Sequence, residues 1–306
     1  MAFVERLLTF KFELATQQTS QAGKAAPATF PNGSNTVTLS GLRATAKIIK
    51  AGTPSLAEAQ VQIWGVPLAL MKQLATLGMV FQLIPRNILT VQAGDSASGL
   101  STIFVGTIYQ AWGAFDGQPE VPFQVQAHTL GTESVAPAQP ASFTGRADVA
   151  SFMKSIADQM KCTFEPNGIE KSLSSPYFYG SLRSQADQCA AHAGINWFVD
   201  DTTLAIWPKG KTRGGDIPMI APPPDGDMVG YPSFVAFGIR VKTMFNKSIR
   251  FGARFQIKSS IIPANGKTWG VLNLAHDLST QMPDGDWYTM IGAWDTGYPQ
   301  PTQQPA

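Results

Sequence analysis

Charge is scarce in this 306-residue chain: Asp, Glu, Lys and Arg together make up 14% of it, against roughly 25% in an average soluble domain. Gln, Thr, Ser, Gly, Ala and Pro fill the gap. A neutral polar surface suits faces that other proteins will cover, because interface cores are depleted in charge. A low-charge or extracellular monomer is the other reading of the same composition. The remaining charge is nearly balanced, 23 basic residues against 21 acidic. That leaves no footprint for nucleic acid, since phosphate binding needs clustered Lys and Arg. The densest basic stretch, Lys209, Lys211 and Arg213, lies in a Gly-rich segment and reads as a solvated linker.

Cysteine is nearly missing as well. Cys162 and Cys189 are too few for a disulfide framework and too far apart for a CxxC redox or zinc motif. Cys189 falls on the apolar face of a predicted helix, where a free thiol packs as a small hydrophobe. Both thiols are expected to be reduced. No long apolar run is present. Glu5, Arg6 and Lys11 interrupt the N-terminus where a secretory signal would need its apolar core. Pro67, Lys72, Gln73, Gly78 and Gln82 interrupt Val66–Ile84, so that stretch predicts a short buried helix and a strand, with no membrane span.

Catalytic signatures are also lacking. His128, His192 and His276 sit in no HExxH or His/Cys ligand spacing. In a strand, His276 and Asp277 point to opposite faces and cannot form an orienting pair. There is no GxSxG elbow and no Gly-rich nucleotide loop. Asp200 with Asp201, and Asp284 with Asp286, could be offered as paired carboxylates for sugar hydrolysis, but each pair falls at a predicted turn, where Asp bonds the backbone. The tryptophans could form a sugar platform; most lie in or beside strands, where packing is the commoner use. No catalytic residue, cofactor or metal ligand is predicted.

What the chain does have is alternation. Leu8, Phe10, Phe12 and Leu14 share one face of a half-buried strand. A charge-poor segment, Ala15–Asn35, follows, with Pro27, Pro31 and the turn signal Asn32-Gly33. A loop of that length is usually functional, or an arm that orders on a partner. Strand patterns recur at Val37–Ile49, Ala57–Ile63, Val80–Ile84, Ile88–Gln92, Ile103–Gln110 and Val121–Ala127. Pro67 opens a short helix with Leu68, Met71, Leu74 and Leu77, closed by Gly78. Many short strands between turns predict a barrel or sandwich. Leu130–Phe143 reads as a linker. Asp148 then precedes the helical stripe Val149, Phe152, Met153, Ile156, Met160, and a strand is expected at Cys162–Phe164. Ser181 and Gly194 bracket a second helix. Asn196–Val199 and Thr203–Trp207 flank Asp200-Asp201 as a hairpin. After a Gly/Pro linker at 209–233, strands return at Ile239–Phe245, Phe255–Ile262, Trp269–His276 and Trp287–Trp294.

The reading is therefore mainly β with an α/β insert. Two related β-rich domains, each a barrel or sandwich, 1–130 and 209–295 (209–233 being linker), are separated by an α/β module at 144–208 and followed by a flexible tail, 296–306. The relatedness rests on an internal echo: set without gaps, Val105–Ala127 aligns with Val271–Ala293, placing Ile108 on Leu274, Trp112 on Leu278 and Val125 on Ile291. Their connections are Asp116-Gly117-Gln118-Pro119 and Pro283-Asp284-Gly285. Two such domains per chain would let three chains present six similar units in a ring.

Three stretches carry a resemblance. They are Phe104–Phe123; Tyr231-Pro232-Ser233 with Gly238–Val241 and Phe245–Gly252; and His276–Ser279 with Pro283–Thr289. In these, and in its order of modules, the chain resembles the baseplate hub family of contractile-tailed bacteriophages. The resemblance implies that the two related domains are tube-type β-barrels, in a non-enzymatic virion protein, made in the host cytoplasm, that forms a homotrimeric ring. Such a ring would bind the hexameric tail tube on one face, the central trimeric spike on the other, and further baseplate proteins. Candidate interface residues are Thr19, Gln21, Pro31 and Asn32 in the arm, with Asp116, Gly117, Pro283, Asp284 and Gly285 in the two connections. The rival expectations are a tail-associated peptidoglycan hydrolase, to be revealed by clearing of a cell-wall zymogram, and a carbohydrate-binding adhesin, to be revealed by Trp-dependent sugar binding.

Overall fold

The computed structural model describes residues 4–15, 29–31, 33–52, 56–76, 86–117, 119–236, 238–259, 263–298 and 300. Thr19, Gln21 and Asn32, most of the Ala15–Asn35 arm, the Leu77–Gly78 helix end, the strand expected at Val80–Ile84, the end of that at Phe255–Ile262, and residues 299 and 301–306 of the tail lie outside them. The chain divides into two compact units. One comprises Met1–Ile48, Glu58–Val135 and Asp277–Asp286; the other comprises Ile49–Ala57, Ala136–His276 and Trp287–Ala306.

Period-two alternation builds the first unit. Its elements are β1 (Arg6–Glu13), β2 (Thr36–Ser40), β3 (Ala44–Lys50, its last two residues in the other unit), β4 (Glu58–Trp64), α1 (Leu68–Leu74), β5 (Ile88–Asp95), β6 (Gly99–Gly113), β7 (Pro122–His128) and α2 (Gly131–Val135). Leu8, Phe10 and Phe12 of β1 are buried as their spacing predicts, and Leu14 follows them. Antiparallel ladders run in the order β4-β7-β6-β5-β1-β2. Register sorts the faces: Val61 stands opposite Val125 inside, and Gln62 opposite Gln124 outside.

Two local expectations need correction. Val37–Ile49 is two strands, β2 and β3, because Gly41 turns the chain at φ 67°, a left-handed conformation open to glycine at little cost; apolar residues on both sides hid the turn. In α1, Leu70, Met71 and Leu74 are buried while Leu68 is exposed. At 3.6 residues per turn, Leu68 lies roughly a third of a turn away from that stripe.

The second unit starts with β8 (Ala141–Ser142), β9 (Arg146–Asp148), α3 (Val149–Gln159), β10 (Thr163–Glu165), β11 (Ser172–Ser174), β12 (Tyr177–Phe178), α4 (Leu182–Ala193), β13 (Ile195–Asp200) and β14 (Thr203–Pro208). The Asp148 carboxylate caps α3, accepting from the Ser151 amide at 2.7 Å, and Val149, Phe152, Met153, Ile156 and Met160 are all buried. Ser181 caps α4, and Gly194 ends it at φ 58°. β13 and β14 form the expected hairpin, with β10 parallel to β14, and the two helices pack against this small sheet.

The rest of this unit is β15 (Met219–Ile220), β16 (Ser233–Val235), β17 (Gly238–Met244), β18 (Arg254–Ile257), β19 (Thr268–Thr280, its last four residues in the first unit) and β20 (Trp287–Asp295). β16 pairs with β17, β17 with β20, β20 with β19, β19 with β18 and β18 with β15. Around this ladder Ile220, Ile239, Val241, Phe255, Trp269, Leu274 and Ile291 form one apolar cluster. Gly270 leaves room for an indole: a Cβ there would come within 2.3 Å of the Trp294 ring. The substitution Gly270→Ala is therefore expected to cost about 1–3 kcal/mol through overpacking, read as a lower urea midpoint at unchanged m-value.

The two units share a strand order. β4, β5, β6 and β7 associate as β4-β7-β6-β5; β17, β18, β19 and β20 associate as β17-β20-β19-β18. β4 and β17 also carry the same seven-position alternation of buried and exposed residues. Setting Gln60 against Arg240 makes the ladders put Gln126 against Gly292 and Gln124 against Met290. That is the gapless pairing of Val105–Ala127 with Val271–Ala293. The fold is mainly β with few helices, and among the described residues no ladder closes into a barrel.

Candidate interface and buried ion cluster

The connection between β19 and β20 is a pinned, exposed turn. The Ser279 amide and hydroxyl both donate to the Asp286 carbonyl, at 2.7 and 2.9 Å. Arg6 Nη1 donates to the Gly285 carbonyl at 3.0 Å. Asp284 holds φ 52°, a region that Asp tolerates better than most residues. Pro283, Asp284 and Asp286 are exposed, and Gly285 is half-buried. They rim a groove of about 400 Å³ floored by Gln60 and Gln62 of β4 and Gln124 and Gln126 of β7. Of the other interface candidates, Pro31 and Asp116 are exposed. Asp116 and Gly117 belong to a 3₁₀ turn, Phe115–Gly117. They are not part of that groove; Phe115 lines a separate one of about 520 Å³ with Trp64, Leu68 and Met71.

The densest chemistry lies in the second unit, where five segments distant in sequence meet. Lys50 Nζ, at the end of β3, donates to Asp200 at 2.6 Å and to Asp201 at 2.9 Å. Arg213 clamps Glu165 with two nitrogens, at 2.8 and 3.3 Å, and reaches Asp200 and the Phe251 carbonyl at 3.0 Å each. Arg250 adds contacts to Glu165 at 3.0 Å and to Asp200 at 3.5 Å. Three cations meet three carboxylates. Burial alone pushes Asp200 up, but Lys50 and Arg213 outweigh it and hold this carboxyl well below its usual range. Glu165 is likewise drawn down, to about 2, by Arg213 against the effect of burial. Burial and the Asp200 charge leave Asp201 raised.

This overturns two expectations. Arg213 is no solvated linker residue: it is 1% exposed. Asp200 does more than turn a hairpin, since its carboxylate is the hub of the cluster. Neither was legible because the partners are spread over residues 50, 165, 200, 213 and 250, and only a forecast of the tertiary fold could have joined them. The arrangement is a fastener. Its cations and carboxylates are paired with one another, with Arg213 and Asp200 innermost.

Two of the histidines and five of the tryptophans have structural surroundings. His276 is fully buried, its Nδ1 2.9 Å from Thr289 Oγ1, and burial with the Lys50 charge lowers its pKa to about 3. His128 stacks on Tyr109 with centroids 4.3 Å apart. Trp197, Trp207, Trp269, Trp287 and Trp294 are buried, which removes them from any sugar platform. Cys189 is buried and its thiol pushed up to about 12. Among the described residues, no group of three or more His, Cys, Asp or Glu side chains could hold a metal ion, and no helix is long and apolar enough to cross a membrane.

The fold is shared with several solved tail proteins. The tail protein of Neisseria meningitidis MC58 superposes over 95% of this chain and 97% of its own, with TM-score 0.59 at 8% identity. The 43 kDa tail protein of prophage MuSo2 from Shewanella oneidensis does so over 97% and 99%, with TM-score 0.58 at 8% identity. The Escherichia coli c3393 protein, a type VI secretion component described as structurally similar to the T4 tail proteins gp27 and gp5, matches over 83% and 73%, with TM-score 0.51 at 9% identity. At such identities the likeness is one of fold. The family itself comes from the sequence: residues 27–290 match the baseplate hub gp41 family, and the chain belongs to it. No curated protein matches the sequence.

Proposed function

We propose that this chain is a non-enzymatic structural subunit of the phage tail baseplate hub. Three copies associate and join the hexameric tail tube to the central trimeric spike, within the virion and without cofactor or nucleic acid. The observation that carries this reading is the repeated strand order, β4-β7-β6-β5 and β17-β20-β19-β18. A chain with two copies of one module gives a three-fold ring six similar modules, which is what a six-fold partner requires. On this reading 1–130 and 209–295 are the two tube-type β-barrel domains, with 209–233 as linker. Residues 144–208 are the α/β module, held by the Asp200 cluster, and 296–306 a flexible tail. The interface residues are then Thr19, Gln21, Pro31, Asn32, Asp116, Gly117, Pro283, Asp284 and Gly285. The family and the likeness to a protein compared with gp27 and gp5 support it.

Light scattering on the purified chain, with electron microscopy of the particle, tests the proposal. A mass three times that of the chain, and density for the trimer between tube and spike, is the expected result. A monomer at all concentrations, or a position away from the tail axis, overturns it. Deleting residues 16–28, which spares the buried Phe30, is expected to leave a folded protein that no longer assembles into particles; normal assembly would remove the arm from the interface.

A further inference from the structure

The outer face of β17 and β20 differs in charge from its counterpart in the first unit. Arg240 stands opposite Gly292, Lys242 opposite Met290 and Met244 opposite Tyr288, so these six share one face. Arg240 and Met290 are exposed, and the Lys242 ammonium lies 3.7 Å over the Tyr288 ring. Asn273 covers Gly292, where a Cβ would meet its amide at 2.3 Å. The face is thus cationic and partly apolar, with no carboxylate among those residues. The corresponding β4 and β7 positions carry four glutamines, Gln60, Gln62, Gln124 and Gln126. That amide floor is rimmed by Asp277, Asp284 and Asp286, with Lys47 along the groove and Arg6 bonded to the Gly285 carbonyl beside it. Among the described residues, none of Arg240, Lys242, Asp277, Asp284 and Asp286 takes part in an ion pair.

We infer that the Arg240–Lys242 face of one copy docks on the Pro283–Asp286 turn and amide groove of a second copy. This rests on the trimeric reading above and names the surfaces that make the trimer. The complementarity is the argument: each chain carries an unpaired basic face with Met and Tyr, residue types enriched in interface cores, and an unpaired acidic rim over neutral amides able to donate and accept. Because the two surfaces differ, the contact is head-to-tail. Contacts of that kind close into a ring when the rotation permits, giving a trimer three identical junctions. Opposed charges set register and partner choice, and like charges placed together repel.

Charge reversal in the full-length chain tests it, with mass in solution as the readout and circular dichroism to confirm folding. Asp284→Lys with Asp286→Lys, and separately Arg240→Glu with Lys242→Glu, are each expected to raise the concentration at which trimer falls apart by at least about tenfold. All four together are expected to restore the midpoint to within about threefold of the parent, because the opposition of charge is regained. If the reversed chains trimerise like the parent, or the fourfold variant stays as weak as the pairs, the docking assignment is wrong and the trimeric hub stands. Reversed chains that trimerise normally but fail to enter particles assign the faces to a different protein and also overturn it. A parent chain that never trimerises sinks both.

Discussion

Replacing Arg213 by Met is expected to lower the stability of the protein by about 3–5 kcal/mol, the cost of breaking a buried ion pair from one side. The guanidinium makes the two-nitrogen clamp on Glu165, the contact to Asp200 and the bond to the Phe251 carbonyl. Its loss leaves Asp200, 6% exposed, with two cations against a cluster that still holds three carboxylates. The substitution Arg213→Lys should recover only part of the loss, because a single ammonium cannot reproduce a planar fork. Denaturant titration measures both. A cost below about 1 kcal/mol for Arg213→Met would show that the cluster is ornamental and that the α/β module is held by apolar packing alone.

The second large effect is acid sensitivity centred on His276. Burial first, and the Lys50 charge after it, lower its pKa from 6.5 to about 3, with Asp200 acting weakly the other way. The imidazole sits between Thr289 Oγ1 and the Phe245 ring. In the unfolded chain it takes a proton near pH 6.5; in the folded protein it resists until about pH 3. The unfolded state therefore binds more protons throughout that window, and stability falls as pH drops from 6.5 towards 3. At 1.36 kcal/mol per unit the loss is roughly 4 kcal/mol at the acid end. Glu165 extends the trend lower: its carboxyl, near 2 when folded, contributes stability above its unfolded pKa that vanishes as pH falls through about 2. His276→Gln keeps a polar partner for Thr289 and is expected to flatten the curve between pH 6.5 and 3. An unchanged pH profile in that variant assigns the acid loss elsewhere.

Most of the secondary structure was legible beforehand, for local reasons. The alternation Leu8, Phe10, Phe12, Leu14 needs only a pleat with one wet face. The Asp148 cap, the stripe from Val149 to Met160, and the Ser181 and Gly194 brackets of α4 need only a helix and its unsatisfied ends. Where local logic was weak, the reading failed. Gly41 sat inside a continuous strand-like alternation and its turn went unseen. α2 has five residues and no periodicity to announce it. The parallel pairing of β15 with β18 inside a Gly/Pro-rich stretch had no signal at all. The echo between the two β-rich regions was visible only as a weak match of period-two patterns, which many unrelated strands share. The ladders add to it a shared strand order and a matching register.

By itself, then, the sequence determined the class of protein: a charge-poor, strand-rich chain with a helical insert, free of recognisable catalytic motifs, whose residues 27–290 match a baseplate hub family. These properties are sums over local patterns and survive without knowing which strand meets which. Only the tertiary structure decided which charges meet, because Lys50, Glu165, Asp200, Arg213 and Arg250 become neighbours through long-range packing. It also decided that Arg213 is interior and that the Pro283–Asp286 turn rims the glutamine groove of β4 and β7. Coulombic energy depends on separation in space and on the water removed around each charge, and neither quantity is written in the order of residues along the chain.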